Sequence, residues 1–288
     1  MYQITGRTGL TALLGSPVSH SVSPLMHNEA FRLLGLDYVY LCFDVTEKDL
    51  ETAVRGLLSC GIRGFNLTMP DKNAIVPMLD ELSPAARLIG AVNTVVCENG
   101  RMTGHNTDGT GYMQAVKDAG YLIIGKTITV LGSGGAATAI CAQAALDGVS
   151  EIHIFARPTS RFFSRTRSLT ENINRSLPCR AFLHEQEDDA AFREAVSESA
   201  LLLNATSVGM APDTDRSLLK DTSVLRPDLV VSDVIYNPRE TLFLRQAREA
   251  GCSVFNGMYM LLYQGAEAFR LWTGMEMPVE QIKKKYFC

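Results

Sequence analysis

Along the chain, short apolar runs alternate with stretches in which apolar residues return every three or four positions, the pattern of strands followed by amphipathic helices. Leu10 to Leu14 reads as a strand ending at Gly15. Ser23 reads as a helix N-cap with Pro24 at the first helical position, and Leu25, Met26, Ala30, Phe31, Leu33 and Leu34 give that helix an apolar stripe closed by Gly35. Tyr38 to Val45, β-branched and aromatic, is predicted as a second strand. Thr46 with Asp49 resembles a capping box for a helix running to about Cys60. Arg63 to Thr68 is a third strand stopped by Pro70, and Ala91 to Cys97 with Arg101 to Gly104 flank Asn99-Gly100, a hairpin turn.

A second unit is expected after Asp108. It opens with a helix over Thr110 to Ala119, a strand over Lys126 to Leu131, a glycine-rich turn from Gly132 to Ala137 and an alanine-rich helix to Leu146. Strands follow at Glu151 to Phe155, Leu201 to Ala205 and Leu229 to Val234, with helices around Ala190–Ser199 and Thr241–Ala250. Met258 to Thr273 reads as one long helix with Leu261, Leu262, Ala266, Phe269 and Trp272 on its apolar side. The stretch from Pro158 to Asp189 is polar and carries no clear period. Repeated strand–helix units of this kind define an α/β fold.

Composition narrows the function classes. At 288 residues the chain is long enough for two domains, and 46% hydrophobic residues suffice for two cores. A formal charge of −4 gives no electrostatic case for binding nucleic acid or an anionic membrane. No run approaches the length of a membrane span, and the first residues lack the apolar core of a secretory signal, so a cytoplasmic protein is expected. The seven cysteines, Cys42, Cys60, Cys97, Cys141, Cys179, Cys252 and Cys288, form no close pair, which suits buried thiols in a reducing compartment and offers no metal site.

The strongest local motif is Gly132-Ser133-Gly134-Gly135-Ala136-Ala137 between a strand and a helix. Its first glycine permits the tight turn, its second lets backbone approach a pyrophosphate, and the small third residue lets the helix pack close to the strand. The helix N-terminus then offers unpaired N–H groups to the phosphates. The next strand ends in Ala156-Arg157, followed by Arg161, where an NAD site would place an acidic residue for the ribose. Two guanidinium groups suit a 2′-phosphate, so NADP is the expected cofactor. Four other segments concentrate small polar groups: Ser19 to Pro24, Asn66 to Lys72, Asn93-Thr94 and His105 to Gly109. Hydroxyls and amides with one lysine, Lys72, and two aspartates, Asp71 and Asp108, suit a polyhydroxylated carboxylate. Each segment alone also reads as an ordinary turn or cap.

Taken in order, these segments carry a resemblance. Gly15 to Pro24 with His27-Asn28, Asn66 to Lys72, Gly90-Ala91-Val92-Asn93-Thr94 and Asn106 to Gly109 lead into the Gly132 turn. Asn204 to Met210, Tyr236-Asn237-Pro238 with Thr241, and Met260 to Ala266 complete the series. The chain resembles the shikimate dehydrogenase family from about Gly15 to Gly274. The resemblance implies NADPH-dependent reduction of 3-dehydroshikimate to shikimate in aromatic amino-acid biosynthesis. It implies an N-terminal α/β substrate domain, residues 1–109 completed by 256–288, with a Rossmann-type domain of residues 110–255 inserted between. The active site would lie in a cleft that closes by a hinge.

Carried over residue by residue, Lys72 and Asp108 become the catalytic pair. Ser21, Ser23, Thr68, Asn93 and Gln264 would hold the substrate, with Tyr236 nearby and Asn28 in a structural part. Gly132, Ser133, Gly134, Gly135, Ala136, Ala156, Arg157, Arg161, Thr206, Val234 and Gly257 would form the cofactor site. One feature departs from the usual pattern: NADP-using members read Asn-Arg-Thr where this chain has Ala156-Arg157-Pro158, which brings NAD into view as a second cofactor. Against quinate, Thr68 keeps the bulkier hydroxyl residue that shikimate-restricted members carry, where quinate-tolerant members often have serine. The rival readings are a quinate/shikimate dehydrogenase using NAD or NADP and a non-catalytic dinucleotide-binding regulator. A small-molecule substrate and a homodimer complete the expected partners.

Overall fold

The computed structural model describes residues 3–68 and 70–287; Met1, Tyr2, Met69 (inside the Asn66–Lys72 motif) and Cys288 lie outside them. The chain divides into two compact units, one running to residue 107 and resuming at 262, the other spanning residues 108–261.

The first unit contains β1 (Gly9–Gly15), α1 (Ser23–Leu34), β2 (Tyr38–Asp44), α2 (Leu50–Ser59), β3 (Gly64–Leu67), β4 (Glu81–Leu82), α3 (Pro84–Ile89), β5 (Thr94–Glu98) and β6 (Arg101–His105). Its six-stranded sheet has the order β2-β1-β3-β5-β6-β4. β1 is parallel to β2 and β3, while β3–β5 and β5–β6 are antiparallel. This mixture brings the C-terminal ends of β1, β3 and β6 and the start of β5 to one sheet edge, with Asn66 opposite Thr94 and Thr94 opposite His105. Leu14, Val54, Phe65, Ile75, Val92 and Val95 fill the core on one face.

α4 (Thr107–Asp118) opens the second unit, which continues with β7 (Thr127–Leu131), α5 (Gly135–Asp147), β8 (Glu151–Ala156), α6 (Phe163–Ser176), β9 (Arg180–Glu185), α7 (Asp189–Glu198), β10 (Ser199–Asn204), β11 (Val230–Asp233), α8 (Leu242–Glu249) and β12 (Ser253–Phe255). Its sheet, β12-β11-β10-β7-β8-β9, is parallel throughout. Read from β9, that order is the doubly wound 3-2-1-4-5-6 arrangement, whose ligand crevice lies where the order reverses, between β7 and β10. α9 (Met258–Thr273) and α10 (Val279–Tyr286) end the chain. Within the first unit, Trp272 of α9 donates its indole N–H to the Val95 carbonyl at 2.9 Å. A Cβ at Gly64 would collide with that indole, and one at Gly265 with Met26 of α1, so these two glycines permit the close approach.

Several local expectations change. Ser23 is the first residue of α1 and caps nothing; the residue before it is Val22, and no side chain caps the helix. Instead the Ser23 N–H donates to Ser21 Oγ at 3.2 Å, which leaves the buried Ser23 hydroxyl for other work. Thr46 donates to the Asp49 carboxylate at 2.8 Å rather than capping backbone, and a short 3₁₀ turn precedes α2. The unassigned polar stretch is a helix and a strand, α6 and β9. The Asn99-Gly100 turn holds, with φ of 52° and 77°. Among the described residues, no helix is long and apolar enough to cross a membrane.

Candidate active site

In the first unit the site is assembled from side chains that hold one another. The fully buried phenol of Tyr40 donates its proton to Asn66 Oδ1 at 2.8 Å. Asn28 pins β2 to α1 from behind: its Nδ2 donates to the carbonyls of Pro24 and Tyr40 at 2.8 and 2.9 Å, and its Oδ1 accepts the Tyr40 N–H at 2.8 Å. Thr68 leaves the end of β3 with its N–H on the Leu14 carbonyl at 3.0 Å. The following turn carries Lys72, and its main chain is tied to the segment leading to Asn93: Val92 N–H donates to the Lys72 carbonyl at 2.8 Å, and Asn73 Nδ2 to Gly90 at 2.7 Å. Ser21, Ser23, Thr68, Lys72 and Asn93 thus share the sheet edge described above. Gln264 stands on α9 beside Gly265, where the helix touches Met26 of α1.

Among the described residues of this unit, two buried polar side chains have no hydrogen-bond partner. Asp71, next to Lys72, is 0% exposed with both oxygens unpartnered. Burial, with Glu47 nearby, pushes its carboxyl up to about 6. His27 is also 0% exposed, with both ring nitrogens unpartnered, and stacks on Tyr40 at 4.4 Å between ring centres. Burial holds its imidazole down to about 3. No pattern in the sequence marks either as an isolated buried polar group.

The second unit builds its site largely from backbone. Gly132 has φ of +118°, and a Cβ there would lie 2.8 Å from Thr206 Cγ2 and 2.9 Å from the Ala205 carbonyl oxygen. Gly134 and Gly135 face open space, and no side chain caps α5. Space beside the glycines and an uncapped helix start fit a pyrophosphate, because the orphan N–H groups need an anion or water. A cleft of about 840 Å³ opens here, lined by the glycine turn, Ala156, Arg157, Arg161, Thr206 and Val234 among others. Ser133 and Ser160 hydrogen-bond at 3.0 Å, linking the turn to the loop that carries both arginines. Arg161 lies over the Phe162 ring at 4.7 Å.

Behind the cleft, Asp233 is buried but fully engaged. It accepts from Asn204 Nδ2 at 3.0 Å, Thr241 Oγ1 at 2.8 Å and the Ile235 N–H at 2.9 Å. Burial still raises its carboxyl to about 6. Asn204 also fixes Thr206, whose hydroxyl and N–H donate to its Oδ1 at 2.7 and 3.0 Å. Gly257 packs on the Val234 backbone so closely that any Cβ would clash there.

The expected residues therefore fall into two groups. Tyr236, expected with the substrate residues, belongs to the second unit and lines the cleft beside the cofactor residues. Asp108 is the first residue of that unit, in the first turn of α4. Ser160 and Gln186 also line the cleft and went unmarked in the sequence. Gln186 follows β9, and β9 lies in the stretch whose period could not be read.

Fold and sites together define a dinucleotide-linked oxidoreductase. Residues 13–95 match the shikimate dehydrogenase substrate binding domain, and residues 257–285 the shikimate 5′-dehydrogenase C-terminal domain. The chain belongs to the shikimate dehydrogenase family. It is 52% identical to the shikimate dehydrogenase (NADP(+)) of Listeria innocua, over 99% of this chain and 98% of that one. The crystal structure of the Listeria monocytogenes shikimate 5-dehydrogenase in complex with shikimate and NAD is 52% identical with a TM-score of 0.96, covering 99% and 98% of the two chains. The quinate dehydrogenase of Corynebacterium glutamicum in complex with NAD is 30% identical with a TM-score of 0.86, covering 97% and 99%.

Proposed function

We propose that the chain reversibly reduces 3-dehydroshikimate to shikimate with NADPH, as a step of aromatic amino-acid biosynthesis. The observation that carries this reading is the set Ser21, Ser23, Thr68, Lys72 and Asn93 at one sheet edge, in a chain that also holds an uncapped glycine cradle. The substrate domain is residues 1–109 with 256–288, and the NADP domain is residues 110–255. NADPH, when bound, supplies the hydride that the ketone carbon accepts. The ketone oxygen then gains the electron pair of the broken π bond and takes a proton from the Lys72 ammonium, which closes the balance. Asp108 orients that ammonium and accepts a hydrogen bond from a substrate hydroxyl. Ser21 and Ser23 hold the carboxylate side, Thr68, Asn93 and Gln264 the hydroxyls, and Tyr236 belongs to the same set.

On the cofactor side, Gly132, Ser133, Gly134, Gly135 and Ala136 bind the pyrophosphate. Ala156 leaves room at the end of β8, and Arg157 and Arg161 bind the 2′-phosphate; Thr206, Val234 and Gly257 complete the site. A second reading, use of NAD beside NADP, is favoured by Ala156 and Pro158, which leave the two arginines as the charged hold on the 2′-phosphate; Thr68 stands against quinate as a substrate. Steady-state assays of shikimate and quinate, each with NADP and NAD, test both readings. Turnover of shikimate with NADP is the expected result, and none with either cofactor overturns the proposal. A reducing cytoplasm is part of the reading, supported by the free thiols of Cys97, Cys141, Cys179 and Cys252 in the two cores. So is a homodimer, supported by the edge strand β2 with its exposed Leu41 and tested by sedimentation.

A further inference from the structure

Two loops of the second unit face its cleft from neighbouring strands: Ala205, Thr206 and Ser207 follow β10, and Val234, Ile235 and Tyr236 follow β11. Both are tied to one buried carboxylate, Asp233. A main-chain carbonyl only accepts, so the Asn204 atom 3.2 Å from the Val208 carbonyl oxygen is its NH₂ group. A main-chain N–H only donates, so the atom 3.0 Å from the Thr206 nitrogen is Asn204 Oδ1. The two ends agree, and the second N–H of the amide goes to Asp233 Oδ2 at 3.0 Å. Thr206 gives its hydroxyl proton to Asn204 Oδ1 at 2.7 Å and accepts the Val208 N–H at 3.0 Å. Thr241 accepts the Leu244 N–H at 3.4 Å, so its own proton is the one donated to Asp233 Oδ2 at 2.8 Å. Asp233 Oδ1 takes the Ile235 N–H at 2.9 Å. Asn204, Asp233 and Thr241 are at most 1% exposed, so water does not stand in for any partner. Donors thus meet both oxygens of one group. A carboxylate accepts at both; a carboxamide of the same shape, turned either way, sets its NH₂ against the Ile235 N–H or the Asn204 N–H.

In the sheet order, β8 and β10 flank β7 on opposite sides. The glycine turn follows β7, and Arg157 and Arg161 follow β8. A dinucleotide held at its pyrophosphate by the turn, with its 2′-phosphate end toward β8, extends its other half over the ends of β10 and β11. We propose that Asp233 and Asn204 are positioning residues for that nicotinamide half: the carboxylate holds the loops after β10 and β11 in the paired conformations that receive it. Neither side chain touches the cofactor. Asn204 passes the constraint to Thr206 and Val208, and the Ile235 N–H passes it to the second loop. The proposal rests on the reading, given above, of Arg157 as a 2′-phosphate contact.

Calorimetric titration of the full chain with NADP, NAD and adenosine 2′,5′-bisphosphate, which carries the 2′-phosphate end and no nicotinamide, tests it. Asp233→Asn should weaken NADP and NAD alike by about tenfold, the worth of one hydrogen bond to a charged group. The bisphosphate should bind within about twofold of wild type, and its binding shows in the same titration that the unit is folded. A merely structural role would lower the binding stoichiometry without moving one ligand's affinity against another's. Asn204→Ala cuts the link to Thr206 and keeps Asp233; it should give the same split, even should Asp233→Asn fail to fold. Equal weakening of all three ligands, or unchanged NADP affinity in a folded variant, overturns the positioning role. Arg157→Ala checks the reading beneath it and should weaken both the bisphosphate and NADP. An unchanged bisphosphate affinity there overturns the 2′-phosphate assignment, and this inference with it.

Discussion

The two units solve recognition in opposite ways. The second unit offers its backbone: a left-handed Gly132, open space beside Gly134 and Gly135, and a helix start left without a side-chain cap. The first unit offers side chains that are themselves held by other side chains, from Tyr40 through Asn66 and Thr94 to Asn93. A backbone cradle suits a ligand part that is common to many chemistries, since a pyrophosphate asks only for N–H groups and room. A side-chain network suits a ligand whose hydroxyls must be told apart, because each fixed donor or acceptor excludes the wrong partner. The difference teaches where a change should be felt: in substrate and rate constants for the first unit, in cofactor constants for the second.

Lys72→Ala is the largest test of that division. Loss of a general acid typically costs 10²–10⁴ in rate. kcat should fall by about that much while the affinity for NADP, read by nucleotide fluorescence titration, stays within about twofold. A cofactor affinity that collapsed together with the rate would break the comparison. Gly132→Ala tests the other side. A side chain at φ of +118° is strained by about 1–3 kcal/mol, and its Cβ must also displace the Ala205 carbonyl region. NADP and NAD should both bind more weakly, by the same factor, with the shikimate KM at saturating cofactor unchanged. Unequal losses for the two nucleotides would mean that the turn senses more than the pyrophosphate.

The same contrast explains what could be read from the sequence. The glycine turn is a local feature, six consecutive residues between a strand and a helix, and its meaning does not depend on distant parts of the chain. The parallel sheet around it follows from the alternation of β7, α5 and β8. The first unit's network is drawn from β2, β3, β5 and the start of α4, and only the folded sheet makes Tyr40, Asn66, Thr94 and Thr107 neighbours. Resemblance to a family could mark Ser23 and Asn93 in that unit, but local pattern read Ser23 as a helix cap. α6 stayed hidden because Thr166 and Thr170 share its buried face with Leu169 and Ile173, which dilutes the apolar period. β9 stayed hidden at the sheet edge, where its own side chains are partly exposed.

Arg157→Ala sharpens the cofactor side further. A charge-assisted hydrogen bond to a phosphate contributes about 1.5–3 kcal/mol, so NADP should bind about ten- to a hundredfold more weakly. NAD, which lacks the 2′-phosphate, should bind as before. Equal weakening of both would place the phosphate contact elsewhere, and no weakening of either would remove Arg157 from the site. The shikimate KM serves as the internal control, since Ser21, Ser23, Thr68, Lys72, Asn93 and Gln264 belong to the other unit.

The smallest expected effect concerns the buried groups behind each site. Asp233 in the second unit is met by three donors, whereas His27 in the first has no hydrogen-bond partner among the described residues and lies against the rings of Tyr40, Phe31, Phe269 and Trp272. Burial holds the folded-state pKa of His27 at about 3 against an unfolded value near 6.5. As pH falls below about 6.5, the unfolded chain takes up a proton that the folded chain refuses until about 3, so stability present at pH 7 is lost across that window. Between pH 7 and pH 5.5 the loss amounts to about 1 kcal/mol. Asp71 and Asp233 act with the opposite sign: their folded-state carboxyls, raised to about 6, take up protons before the unfolded chain does, so acidification favours folding through them. Both remain in a His27→Leu variant and cancel in the difference between the two proteins. Urea unfolding followed by fluorescence of Trp272, the single tryptophan and a neighbour of His27, reads the first unit directly. Wild type should lose about 1 kcal/mol more than His27→Leu over that interval, and equal losses would mean that the imidazole is solvated or paired in the folded protein.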